Sequence, residues 1–292
     1  MSNEIMTEEI LQFGNDSRLF GILTLPSLPQ QHAKKLPVFV FLSSGFTHRV
    51  GPLRIYVRLA RVLAQMGFSS FRVDLTGRGD SAGRPELRNE ESLMADYKEI
   101  VKILDGRLGP SQLVLGGLCS GADNALILAQ ADQRVIGLLL MDPTCYPDDG
   151  FRVRQFFRKL AHPERYMKPA RYVLWLQRRM QRLARREPSE IDDDPYTYTP
   201  LAFGNLPTRE QLRAAFAAVC ERKGRALSVF TSMAEELGRY NQVGQLGRQL
   251  GLPGYAQYCT EKFFSNAGHT FDLELHRRRL LNEVKAWAAA YL

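Results

Sequence analysis

No cysteine in this chain stands in a C-x-x-C pair, and no apolar run approaches the roughly 18 to 20 residues that a membrane span needs. The four cysteines, Cys119, Cys145, Cys220 and Cys259, are scattered singly. That spacing argues against a zinc site or a disulfide framework, and it suits reduced thiols in a cytoplasm. The opening residues, MSNEIMTEEILQF, are acidic and lack a basic stretch leading into an apolar one, so no signal peptide is expected. Recognisable nucleic-acid motifs are also missing, and no metal or cofactor is called for.

What is present fits a globular protein. Across 292 residues the apolar share is 45% and the charged share 24%. That length accommodates one large α/β domain with an insertion. The net charge of +8 is unevenly placed: residues 151–187 hold twelve Lys and Arg against two Glu, and the remainder of the chain sums to −2. The basicity therefore belongs to one segment, and a nucleic-acid partner is not expected from the overall charge.

The stretch from Gln112 to Ala129, QLVLGGLCSGADNALILA, joins a β-prone apolar run to a helix-forming one through Gly-Gly-Leu-Cys-Ser-Gly. A nucleophile on so sharp a strand-to-helix turn needs small residues two before and two after it, so that strand and helix can approach. Centred on Cys119, those positions are Gly117 and Gly121. Centred on Ser120, they are Leu118 and Ala122, and leucine is not small. Cys119 is the better centre, with Ser120 the alternative.

Other segments read as follows. Residues 10–25 form a hairpin around Gly14-Asn15-Asp16. Leu36–Leu42, Phe68–Val73, Val135–Met141, Ala226–Thr231 and Tyr255–Phe264 read as strands; the run Val135–Met141 is suited to burial on both faces. Helical spacing marks Tyr56–Met66, Glu90–Leu108, Thr208–Cys220 and Leu273–Leu292. Tyr172–Arg186 places Val173, Leu176, Met180 and Leu183 on one helical face, with Arg178, Arg179, Arg182, Arg185 and Arg186 elsewhere. The alternation of strand and helix implies a mainly parallel sheet covered on both faces, whose strand ends deliver ligand-binding residues to one edge.

These motifs, in this order, resemble the α/β-hydrolase superfamily, in its serine aminopeptidase and lipase-like branch. The G-x-C-x-G turn is similar to the nucleophile elbow, with cysteine in place of the usual serine. Ser44-Gly45-Phe46 matches the His-Gly-x loop after the third strand, with Ser44 replacing histidine. Asp74 to Ser81 matches the structural D-x-x-G-x-G-x-S turn, so Asp74 and Asp80 are given no catalytic duty. Asn266-Ala267-Gly268-His269-Thr270-Phe271 fits the A-x-H-x-F ending. The run HRVGPLRIYVRLARVLAQMGFSSFRVDLTGRGDSAG further resembles hydrolases associated with exopolysaccharide and exosortase gene clusters.

The resemblance implies an eight-stranded, mainly parallel sheet in one domain, with its core at 1–143 and 223–292 and a helical lid inserted at 144–222. It also implies a nucleophile, acid and base in the chain order Cys119, Glu235, His269. Glu235 lies on the loop after the seventh strand, where the family usually carries aspartate. Glu236 and Asp142 are alternatives for the acid, and His48 is the runner-up base. The backbone amides of Phe46 and Ser120 would form the oxyanion hole, Ser120 contributing only its N–H. The implied activity is an acyl hydrolase of esterase or thioesterase type, acting on a small-molecule or carrier-bound acyl group. An acyltransferase using the same acyl-enzyme, or a silent binding protein on this scaffold, are the alternatives. The lid arginines suit an acidic partner or an anionic membrane surface.

Overall fold

The computed structural model describes residues 6–27, 35–45, 47–84, 86–87, 89–161 and 206–292. They fall into two compact units, Met1–Pro147 with Phe203–Leu292, and Asp148–Ala202.

The first unit is built on one eight-stranded sheet in the order β1-β2-β4-β3-β5-β6-β7-β8. The strands are β1 (Met6–Phe13), β2 (Leu19–Pro26), β3 (Val38–Leu42), β4 (Ser70–Asp74), β5 (Leu113–Leu118), β6 (Val135–Met141), β7 (Arg225–Thr231) and β8 (Cys259–Phe264). The β1–β2 and β2–β4 pairs are antiparallel, and from β4 through β8 every pair is parallel.

Side-chain alternation along the buried strands divides the core in two. Val38, Val40, Leu42, Leu113 and Leu115 point to one face, joined there by α2 (Asn89–Leu108) through Leu93, Tyr97, Ile100 and Leu104, and by α3 (Ser120–Ala131). Phe39, Phe41, Val114 and Leu118 point to the other. That face is covered by α1 (Ile55–Gln65) and by a C-terminal helix, Glu274–Ala288, which contributes Leu280, Val284 and Trp287. Helices on both faces of a mostly parallel sheet make this the α/β-hydrolase fold.

The insertion is shorter than the expected 144–222. A helix over Arg209–Glu221 packs against α3, with Leu212, Ala215, Phe216 and Val219 wholly buried in the core. Its start is fixed by a capping box: the Thr208 hydroxyl accepts from Gln211 N at 3.2 Å, and Gln211 Oε1 accepts from Thr208 N at 2.8 Å. It belongs with the sheet because its apolar face matches the groove beside α3. Described on its own, the second unit contains α4 (Phe151–Ala161), on which Val153, Phe156 and Phe157 are exposed. The expected helix at 172–186, with Arg178, Arg179, Arg182 and Arg186, lies outside the described residues. We label the helix at Arg209–Glu221 α5, the one at Ser232–Glu236 α6, that at Gln245–Leu250 α7, the turn at Tyr255–Tyr258 α8 and the helix at Glu274–Ala288 α9. The α8 turn occupies the first part of what reads in sequence as the last strand.

Candidate active site

The β5–α3 turn holds Cys119 at φ 53°, ψ −121°, a conformation that a residue with a side chain rarely adopts. The glycines make it feasible. A Cβ on Gly117 would lie 2.4 Å from the Gly121 carbonyl carbon, and one on Gly121 would lie 2.6 Å from Leu42 O. Strand, helix and the end of β3 therefore meet with no room for side chains, which supports the elbow being centred on Cys119. Beneath it, the buried Tyr56 hydroxyl accepts from Leu118 N at 2.8 Å and donates to Leu42 O at 3.2 Å, clamping β5 to β3.

The next strand along, β6, ends one step away. Cys119 N donates to Met141 O at 2.8 Å, and Asp142 follows at once with φ 45°. Asp142 N donates to Val229 O on β7 at 2.7 Å. Its carboxylate accepts from Thr231 N at 2.6 Å, from the Thr231 hydroxyl at 2.5 Å and from His269 Nδ1 at 2.8 Å. The His269 loop is tied to the same place, since Ser232 N donates to Ala267 O at 3.1 Å. The Cys119 side chain lies near enough to His269 to act on its protonation. Burial alone would lower the imidazole's pKa, but its bond to Asp142, the nearby Cys119 and the charges of both outweigh that and raise it to about 9. The structure thus brings Cys119, His269 and Asp142 into one line at the C-terminal edge of the sheet.

Glu235, the acid expected first, is not the carboxylate on His269. It lies buried in α6, while the residue at the end of β7 is Thr231, which reaches across to Asp142. Glu236 is exposed at the end of the same helix, and His48 is exposed, its Nδ1 accepting from Val50 N at 3.3 Å. Sequence reading placed Glu235 first and held Asp142, at the end of β6, as an alternative; the carboxylate on His269 is that of Asp142.

Opposite the nucleophile, the Ser44–Thr47 turn closes through Thr47 N to Ser44 O at 2.9 Å, and the Thr47 hydroxyl donates to the same oxygen at 2.6 Å. Gly45 takes φ 51° there, although a Cβ on it would meet nothing within 4 Å, so glycine is required by conformation and not by space. Gly45 N donates to Ser120 Oγ at 2.9 Å. Phe46, expected to supply half of the oxyanion hole, lies outside the described residues. Asp74 is structural, as expected: its carboxylate accepts from Arg49 N at 2.5 Å and Asp80 N at 3.1 Å and pairs with the Arg49 guanidinium, which also pairs with Asp80 at 2.6 Å.

A second brace joins the elbow helix to the segment after Asp142. The buried Asp123 carboxylate accepts from Thr144 N at 2.7 Å and from its hydroxyl at 2.8 Å; burial pushes the Asp123 pKa up to about 6, against the bonds from Thr144. A cleft of about 290 Å³ lined by Lys35, Arg222, Lys223 and Arg225 opens at the other edge of the sheet, where Pro37, Gln112 and Arg225 lead into β3, β5 and β7. It is remote from this chemistry. Among the described residues no group of His, Cys, Asp and Glu could hold a metal ion.

The sheet order, the left-handed elbow and the histidine loop define an α/β-hydrolase. Residues 36–213 match the family described as serine aminopeptidase, S33, and the chain belongs to that family. Solved structures of similar fold include a dienelactone hydrolase from Anabaena variabilis, at 12% identity over 99% of this chain and 100% of that one, with a TM-score of 0.54. A hypothetical protein from Pseudomonas aeruginosa matches at 16% identity over 99% and 95%, with a TM-score of 0.57. A cold-adapted esterase from an Arctic intertidal metagenomic library matches at 12% over 98% and 96%, with a TM-score of 0.50. Among curated proteins, none matches. Among the described residues, no helix is long and apolar enough to cross a membrane.

Proposed function

We propose that the chain is an acyl hydrolase of esterase or thioesterase type, working through a covalent acyl-enzyme on Cys119. His269 carries the proton and Asp142 orients it. The observation behind this reading is the 2.8 Å hydrogen bond from His269 to Asp142, at the strand end next to a cysteine held at positive φ at the start of α3. The attacking species is the sulfur anion, the proton being carried by His269.

The Cys119 sulfur attacks the acyl carbon, and the carbonyl pair moves onto oxygen, facing the Ser120 amide. Collapse breaks the bond to the leaving alcohol or thiol, which takes a proton from the His269 nitrogen that does not face Asp142. Water, deprotonated by that same nitrogen, then attacks the thioester and releases the acid and Cys119. Activated esters, lactones and thioesters suit a sulfur nucleophile. A dienelactone hydrolase and an esterase among the structures of similar fold are consistent with that class. The four free cysteines fit a reducing, cytoplasmic setting that keeps Cys119 reduced.

The test is intact-protein mass spectrometry after incubation with p-nitrophenyl esters and acyl thioesters, followed by peptide mapping. An adduct on Cys119 that water discharges is expected. Discharge only on adding an alcohol or amine would mark an acyltransferase. An adduct on Ser120 would overturn the assignment, and none on either residue would favour a silent binding protein.

A further inference from the structure

The hydroxyl of Ser120 is occupied in a way that the catalytic reading does not use. Ser120 is the first residue of α3, directly after Cys119, and is buried. Its Oγ accepts the Gly45 N–H at 2.9 Å, across 75 positions of sequence. Gly45 is the second residue of the turn after β3, in a left-handed conformation with open space around its Cβ position. The loop packs on the elbow through Ser43 and Ser44, which lie close against Gly121. At Gly45 itself two further contacts hold the peptide: the Ser44–Thr47 closure within the turn, and the bond to Ser120 from outside it.

We propose that the Ser120 hydroxyl is a positioning residue for acylation at Cys119, holding Gly45 of the loop after β3 against the nucleophile elbow. This rests on the reading of Cys119 as the nucleophile. Two amides stabilise an oxyanion only if they converge on the same oxygen at hydrogen-bond distance. One of them is Ser120 N, and the other is expected on the residue covalently attached to Gly45. With its own N–H spent on Ser120, Gly45 presents no donor to substrate, and its peptide plane is fixed instead. A single residue then couples the two turns: its backbone N–H faces the oxyanion while its hydroxyl holds Gly45. Ser120 thereby contributes more than the N–H expected of it.

Two reactions of the same thiol separate this role from others. Acylation by a p-nitrophenyl ester needs both the thiolate and the oxyanion hole. Alkylation by iodoacetamide needs the thiolate alone, since iodide is displaced from a saturated carbon and no oxyanion forms. In the full-length chain, Ser120→Ala is expected to slow acyl-enzyme formation about 10- to 100-fold while alkylation of Cys119 keeps the wild-type rate. Ser120→Thr, which retains the hydroxyl, is expected to restore acylation. Thermal melts of both variants report on folding, and the ratio of the two rates is the readout in each. Acylation by Ser120→Ala at the wild-type rate would overturn the proposal, as would equal loss of both reactions. A wild type that forms no adduct on Cys119 would remove the nucleophile reading, and this proposal with it.

Discussion

The turn at Cys119 and the turn at Asp142 end neighbouring strands, and both place a non-glycine residue at positive φ, 53° and 45°. Only the first is written in glycine. At Cys119 the chain doubles back into a helix that crosses within van der Waals reach of β5 and β3, so Gly117 and Gly121 have no substitutes. At Asp142 the chain leaves β6 into a loop, flanked by Met141 and Pro143. That turn is held by hydrogen bonds, from its own N–H to Val229 and from Thr231 and His269 to its carboxylate. A backbone collision leaves a mark in the sequence, whereas a hydrogen-bonded strain is satisfied by residue types that occur everywhere.

The sharpest break in the comparison comes from removing chemistry at each turn. Cys119→Ala is expected to abolish acyl-enzyme formation, a loss on the order of 10⁴ or more in single-turnover rate. Asp142→Asn is expected to lower that rate about 10³- to 10⁴-fold by releasing the orientation and charge support of His269. Glu235→Gln should leave it within about tenfold of wild type, because removing a carboxylate that does not touch the base spares the proton carrier. A reversed ranking of the two carboxylates in rapid-quench mass spectrometry would restore Glu235 as the acid.

Smaller effects separate the two kinds of constraint. Gly121→Ala is expected to cost about 1–3 kcal/mol in urea unfolding, since the new methyl meets the Leu42 carbonyl and the backbone must shift. Thr231→Val, which removes only a hydroxyl from the Asp142 carboxylate, should cost about 1–3 kcal/mol as well, but also slow acylation, which marks a hydrogen-bonded constraint near the base.

The pH dependence is the gentlest probe. Because the folded His269 pKa is raised from 6.5 to about 9, protonation of the ring stabilises the native state. That contribution is fully present below pH 6.5 and is lost as pH rises through about 9. The stability difference between wild type and His269→Ala should therefore shrink across this window in urea titrations.

Much of this site was legible before any geometry. Cys119, His269 and the loop at Gly45 each sit in a local pattern imposed by backbone shape: paired glycines, a short loop after a strand, a glycine at a strand's end. The ranking of the acids was not legible: Asp142 stood only as an alternative to Glu235, because the choice depends on which strand end faces the histidine, and several carboxylates follow strands in this chain. The Thr208–Cys220 helix reads as helix correctly, yet whether it lay in the lid or the core depended on Leu212 and Phe216 finding α3. The Ser120 hydroxyl was invisible for a related reason: its partner, Gly45 N–H, is 75 residues away and carries no side chain to match.

The proposed mechanism requires that His269, held by Asp142, activates Cys119. It is tested most directly by the iodoacetamide alkylation rate of each cysteine at neutral pH, in wild type and in the His269→Ala, Asp142→Asn and Glu235→Gln variants. The prediction is that Cys119 reacts faster than Cys145, Cys220 and Cys259, that its rate drops in His269→Ala and Asp142→Asn, and that it is unchanged in Glu235→Gln. Four thiols reacting alike in the wild type, or a Cys119 rate that falls only in Glu235→Gln, would contradict it.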